Sequence, residues 1–133
     1  MYVNKIEIRT HRREELVDIT SKVRMLIRNQ NQNDGKITLF VPHTTAAVTI
    51  NENADPTVPG DIIFSLNKIS PIYREFRHLE GNSDAHIKSS LIGNTQDIFF
   101  QDKELILGTW QGIFFCEFDG SRHRHVITII QNV

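Results

Sequence analysis

The chain has 133 residues, a formal net charge of −1, 39% hydrophobic residues and a single cysteine. That length suits one domain with a sizeable core, and the near-zero charge argues against a protein that grips nucleic acid by neutralising many phosphates. Cys116 has no partner for an internal disulfide, Met1–Glu7 lacks the apolar core of a signal peptide, and no window nears the ~20 apolar residues of a membrane span, so the sequence reads as a soluble cytoplasmic domain.

No repeat, low-complexity tract or linker divides the chain, which predicts one domain over residues 1–133. Ile6 and Ile8 alternate with Glu7 and Arg9 to predict a strand over 2–9, and Leu16–Ile19 reads as a second. Thr20 or Asp18 then caps a helix whose apolar positions are Val23, Leu26 and Ile27. Asp34-Gly35 supplies a turn into a strand over Lys36–Val41, which Pro42 closes. The β-branched run Ala46–Asn51 predicts the next strand. Asp55-Pro56 opens a helix towards Ile69, with Val58, Ile62, Leu66 and Ile69 as one apolar stripe and Pro71 as its stop. Ser83 or Asp84 caps a shorter helix reaching Ile92, ended by Gly93. The last third predicts strands over 96–101, 104–107, 112–118 and 122–131, with Asp102-Lys103 as a tight connection and Asp119-Gly120 as a hairpin turn. Strands and a few helices without a strict βαβ rhythm predict an α+β domain with mainly antiparallel sheets.

Two polar blocks concentrate the chemistry. His43–Asp55 holds an imidazole, two carboxamides and two carboxylates next to an apolar strand, and His78–Ser90 holds two more imidazoles. His43, His78 and His86 together match the three protein ligands of a catalytic metal, if the chain folds back on itself between them. Each also reads as a hydrogen-bonded loop histidine. Asn51, Glu52, Asn53 and Asp55 offer hard oxygen donors that suit magnesium better than zinc, although a helix cap alone accounts for Asp55. Glu52, at a strand end, is the candidate proton-transfer group, against the plainer reading of a solvated carboxylate. Lys88, Ser89 and Ser90 near a helix start form a candidate anion site, and a solvated helix face is the competing reading. Trp110, in Gly108-Thr109-Trp110-Gln111-Gly112, suits a flat heterocycle or the core, and the core is the better expectation. Cys116 reads as inert packing, while strand parity turns Glu117 away from Phe114, Cys116 and Phe118. His123 and His125 share a strand face whose flanking arginines favour a solvated or subunit-facing surface.

Three runs carry a resemblance: His43-Thr44-Thr45-Ala46-Ala47-Val48-Thr49-Ile50-Asn51-Glu52-Asn53, Glu80-Gly81-Asn82-Ser83-Asp84-Ala85-His86-Ile87-Lys88-Ser89-Ser90-Leu91, and Gly108-Thr109-Trp110-Gln111-Gly112-Ile113. In this order they resemble the signatures of the YjbQ family, whose members are often labelled secondary thiamine-phosphate synthases. The resemblance implies a two-sheet β-sandwich with a few helices, assembled as a homotrimer, and a pocket where the histidines cluster around a metal or an anion. The implied activity joins an aminopyrimidine diphosphate to a thiazole phosphate. On that reading His43, Glu52 and Lys88 are catalytic, and Asn51, Ser89, Trp110 and Gln111 bind substrate. His43, His78 and His86 hold a divalent metal, zinc or magnesium, and the partner is a small phosphorylated metabolite. The rival expectations are a metal-dependent hydrolase and a non-catalytic, small-anion-binding trimer.

Overall fold

The computed structural model describes residues 2–133. Eight strands and three helices run in the order β1 (Tyr2–Arg9), β2 (Glu15–Asp18), α1 (Thr20–Asn29), β3 (Gly35–Phe40), β4 (Ala46–Glu52), α2 (Thr57–Ile69), α3 (Ser83–Ile92), β5 (Thr95–Gln101), β6 (Glu104–Leu105), β7 (Gln111–Glu117) and β8 (His123–Gln131). They build a five-stranded sheet in the order β1-β8-β3-β5-β6 and a three-stranded sheet in the order β2-β7-β4, with every pairing antiparallel. The α+β, two-sheet expectation holds.

Alternation decides what each sheet buries. Ile6, Ile8, Ile37, Leu39, Ile98, Phe100, Val126 and Ile130 of the larger sheet meet Ala46, Val48, Ile113 and Phe115 of the smaller one, and α1 adds Ile19, Val23 and Ile27 to the same core. The opposite face of the smaller sheet sends Ala47, Cys116 and the adjoining Phe118 against Leu66 of α2 and Ala85 of α3, forming a second apolar cluster. Strand β7 is therefore buried on both faces from Gly112 to Glu117.

Local chemistry sets the boundaries. Asp18 Oδ1 accepts the Thr20 N–H at 2.9 Å, and Asp55 Oδ1 accepts the Thr57 N–H at 3.0 Å, so each carboxylate receives an otherwise unpaired donor at a helix start. Gly93 ends α3 at φ +97°, and its N–H donates to the Ser89 carbonyl. Asp102 and Lys103 adopt φ values of 50° and 61°, the two left-handed residues of a tight turn between β5 and β6.

Three expectations need correction. Asp119-Gly120 is not a hairpin turn, because β7 and β8 lie in different sheets and the segment carries the chain across the sandwich. The α2 stripe is incomplete: Leu66 is buried, whereas Ile69 stays exposed with the off-stripe Phe64, since α2 rests on only one edge of the smaller sheet. Trp110 is not core, being 64% exposed at the turn before β7.

Candidate functional site

Pro42 ends β3 and sends the chain from the larger sheet to the smaller one, so His43, Thr44 and Thr45 lie on the crossing at the sandwich's end. The start of β8 reaches the same end with Arg122 and Arg124, and the segment into α3 brings His78, Glu80, Asn82 and His86. These groups, with Pro42, line a cavity of about 380 Å³. An adjoining cavity of about 490 Å³ shares His43, Thr44 and His86 and is continued by Ser89, Ser90, Gly93 and Asn94. A third space of about 440 Å³, between β1 and α1, is lined by Tyr2, Ile6, Met25 and Leu26 among others and gathers no imidazoles.

The three predicted histidines thus meet on one cavity, each held differently. His43 Nε2 lies 3.1 Å from the backbone N–H of His125 and 3.1 Å from its carbonyl oxygen. Burial, Arg124 and His125 hold this imidazole below its ordinary value of 6.5, so near pH 7 it is neutral and Nε2 accepts the His125 N–H. The rings of His78 and His86 pack edge-to-face with centroids 5.2 Å apart. His78 Nε2 lies 3.8 Å from Glu80 Oε1, and both side chains are substantially exposed.

Behind the histidines lies a buried ion pair that sequence reasoning passed over. Arg124 Nε donates to Glu117 Oε1 at 2.9 Å, and its Nη2 donates to Glu117 Oε2 and, at 2.8 Å, to Thr45 Oγ1. Glu117 also accepts Thr10 Oγ1–H at 2.7 Å and the Asp119 N–H at 3.1 Å. Both residues point between the sheets, because Arg124 shares the inward parity of Val126 and Ile130, and Glu117 that of Ile113 and Phe115. Among the described residues Arg124 Nη1 has no partner, which leaves a fixed donor on a residue lining the cavity. Asn82, the residue before α3, donates to Asp119 Oδ2 at 2.7 Å, and its buried Oδ1 has no partner.

Lys88 is a correction. It is fully buried, and its Nζ donates to Asn67 Oδ1 at 2.6 Å, Glu14 Oε2 at 2.8 Å and Asp84 Oδ2 at 3.0 Å. All three ammonium donors are spent, so it offers nothing to a phosphate. Burial works against ionisation of Asp84, but hydrogen bonds from Arg13 and Lys88 outweigh it and hold the carboxyl below its ordinary value. The network ties α3, and hence His86, to α2 and to the segment before β2. Ser89 lines the second cavity, yet its hydroxyl donates to the Ala46 carbonyl at 2.6 Å and fastens α3 to β4.

Asn51, Glu52, Trp110 and Gln111 stand apart from the imidazoles. Glu52 pairs with Gln111 at the far end of β4 and β7, while Ala46 and Glu117 pair at the cavity end. Six strand residues at about 3.3 Å each separate those ends by roughly 20 Å. Within one chain Glu52 is therefore not the proton-transfer group for this cavity.

The three imidazoles do not make a preformed metal centre. Among the described residues no three His, Cys, Asp or Glu side chains are grouped closely enough to hold an ion, and His43 Nε2 is already engaged by β8. No helix of the described residues is long and apolar enough to cross a membrane.

Fold and site together define a small α+β sandwich with an imidazole- and guanidinium-lined cavity at one end. The chain belongs to the family described as UPF0047 protein YjbQ-like, whose model matches residues 4–132. It is 57% identical to a UPF0047 protein of Methanocaldococcus jannaschii over 120 residues, covering 90% of this chain and 87% of that one. A crystal structure of a YjbQ/UPF0047 family protein from Clostridium acetobutylicum superposes with a TM-score of 0.93 at 45% identity, covering 96% of this chain and 99% of that one. A conserved hypothetical protein from Thermus thermophilus gives 0.89 at 41% identity, with the same coverage.

Proposed function

We propose that the cavity binds a small phosphorylated metabolite through imidazole and guanidinium N–H groups. The observation that carries this reading is the convergence of His43, His78, His86, Arg122 and Arg124 on one cavity of about 380 Å³. Because Arg124 is neutralised by Glu117 and Arg122 by Asp119, the site supplies aimed donors rather than a strong field.

The chemistry that suits such a site is departure of a phosphate or diphosphate group. In thiamine-phosphate synthesis the carbon–oxygen bond of an aminopyrimidine diphosphate breaks as the thiazole nitrogen attacks, and diphosphate leaves with the bonding pair. Donors fixed before the reaction stabilise the charge on that leaving group. A neutral His43, its Nε2 taken up by the His125 N–H, adds its Nδ1–H as a further donor. No step requires Lys88, and assembly as a homotrimer belongs to the same proposal, supported by exposed Phe99, Ile106, Trp110 and Leu91.

The test is to titrate inorganic phosphate and then diphosphate into the protein while following histidine ring resonances. Saturable shifts of His78 and His86, lost in His86→Ala, are the expected result; unmoved resonances overturn the reading. Incubation with both thiamine precursors then asks whether thiamine phosphate forms.

A further inference from the structure

The third sequence run stays unused by a single copy of the chain. Trp110 is held firmly: its carbonyl accepts the Asn53 N–H at 3.1 Å, and the Gly108 N–H donates to Gln111 Oε1 at 2.7 Å to close the turn. The indole is nevertheless 64% exposed, and Ile106, four residues earlier in the chain, is 60% exposed. Fixing a tryptophan on a pinned turn outside the core costs hydrophobic burial, so the indole has a surface to meet. Asp18 and Glu52 lie at this end, with Asn53 Nδ2 donating to Asp18 Oδ2 and Glu52 paired with Gln111.

The imidazole end is its complement. Arg122 and Arg124 line the cavity, and its rim is apolar: Leu79 is 99% exposed, Leu91 57% and Ile87 39%, each beside or near a lining residue in sequence. One chain thus carries an acidic end with a projecting aromatic and, roughly 20 Å away along β4, a cavity that offers guanidinium and imidazole N–H donors within an apolar rim. Two different patches that match across identical chains define a head-to-tail contact, which closes into a ring when the rotation permits.

We propose that the Trp110 turn of one copy seats at the imidazole cavity of the next, so that a complete site takes its histidines from one subunit and its indole and Glu52 from another. This rests on the phosphate reading above and names what covers the cavity. It also gives Glu52 access to a reaction from which its own subunit excludes it.

Trp110 is the only tryptophan, so intrinsic emission reports this turn alone. In the wild-type protein, inorganic phosphate shifts the emission with the midpoint seen in the histidine resonances. Trp110→Phe has no tryptophan signal, and His86→Ala has the tryptophan without the binding site; co-expressed as mixed assemblies, they regain a phosphate-dependent emission change. A silent mixture beside shifting wild-type histidines overturns the shared site while leaving phosphate binding intact. If phosphate moves no histidine at all, the phosphate reading fails, and the contact is judged by mass in solution. Trp110→Asp, confirmed folded by circular dichroism, then yields monomers while His86→Ala stays assembled. A Trp110→Asp protein of unchanged mass overturns the contact.

Discussion

The ring of His43 completes a strand ladder that proline interrupts. Continuing the β3–β8 register two residues past the Phe40–Ile127 pair would set Pro42 opposite His125. Proline has no N–H to give. Instead His43 Nε2 sits 3.1 Å from both the His125 N–H and its carbonyl, and the two rings pack edge-to-face with centroids 5.0 Å apart. A residue of the candidate site thereby also fixes the sheet end on which the site is built.

This arrangement predicts acid sensitivity. Burial, Arg124 and His125 depress the folded-state pKa of His43 below the 6.5 expected of the unfolded chain. The unfolded state then binds the proton first, so stability is fully present above about 6.5 and falls as pH drops from there towards the folded value. Denaturant unfolding at pH 7.5, 6.5 and 5.5 should show a declining midpoint, with a shallower decline in His43→Gln. Identical slopes in the two proteins would assign the acid sensitivity to other groups.

Lys88 should matter to folding far more than to ligand contact. Replacing it with Met strands Glu14 and Asp84 without their shared ammonium, in a site where Lys88 itself has no solvent exposure. Breaking a buried pair from one side typically costs about 3–5 kcal/mol. The expected outcome is a loss of that order in unfolding free energy, partly restored when Asp84→Asn is added. Phosphate affinity of whatever remains folded should stay near wild type, because Nζ has no free donor to lose.

The contrast between Lys88 and the histidines shows what the sequence made legible. Alternation located the strands and Gly93 the end of α3, because those signals are local, whereas neither Ser83 nor Asp84 caps its start: the N-cap position is Asn82, which makes no capping bond. The two polar blocks pointed to a candidate site, and His43, His78 and His86 line one cavity. Partner choice was hidden for Glu14 and Asn67, 74 and 21 positions from Lys88, whereas Asp84, four positions earlier on α3, was within reach of helical spacing. Asp119-Gly120 looked like a hairpin because turn chemistry says nothing about which sheet receives the next strand. Arg124 was within reach: it keeps step with Val126, Thr128 and Ile130, all inward, and that parity set it apart from its strand neighbours His123 and His125.

Cys116 is expected to be chemically silent in the folded protein. It is 1% exposed, packed with Ala47 and Phe118, and burial pushes its thiol up to about 12. The thiolate is the reactive form. Alkylation by iodoacetamide at pH 8 should therefore be slow in the native protein and fast after denaturation. Comparable rates in the two states would mean that the cluster around Ala47, Phe118 and Leu66 opens readily.

The Arg124–Glu117 pair links the fold to the site, and its two roles can be separated. Glu117 has no exposure and gains its charge compensation from Arg124, with Thr10 and the Asp119 N–H filling the remaining acceptor positions. Arg124→Met alone leaves that carboxylate buried and unpaired, a change expected to cost about 3–5 kcal/mol. Glu117→Gln alone releases the guanidinium from its clamp while keeping a polar partner, so the loss should be smaller. It also leaves Arg124 with an uncompensated charge beside the cavity, so sulfate, which does not titrate near neutrality, should bind more tightly to Glu117→Gln than to wild type. Removing both ends, in Arg124→Met with Glu117→Leu, should recover much of the lost stability and none of the binding. Calorimetry with sulfate alongside denaturant curves checks all three variants. A double variant that still binds sulfate at wild-type strength would remove Arg124 from the site and leave the imidazoles to hold the anion by themselves.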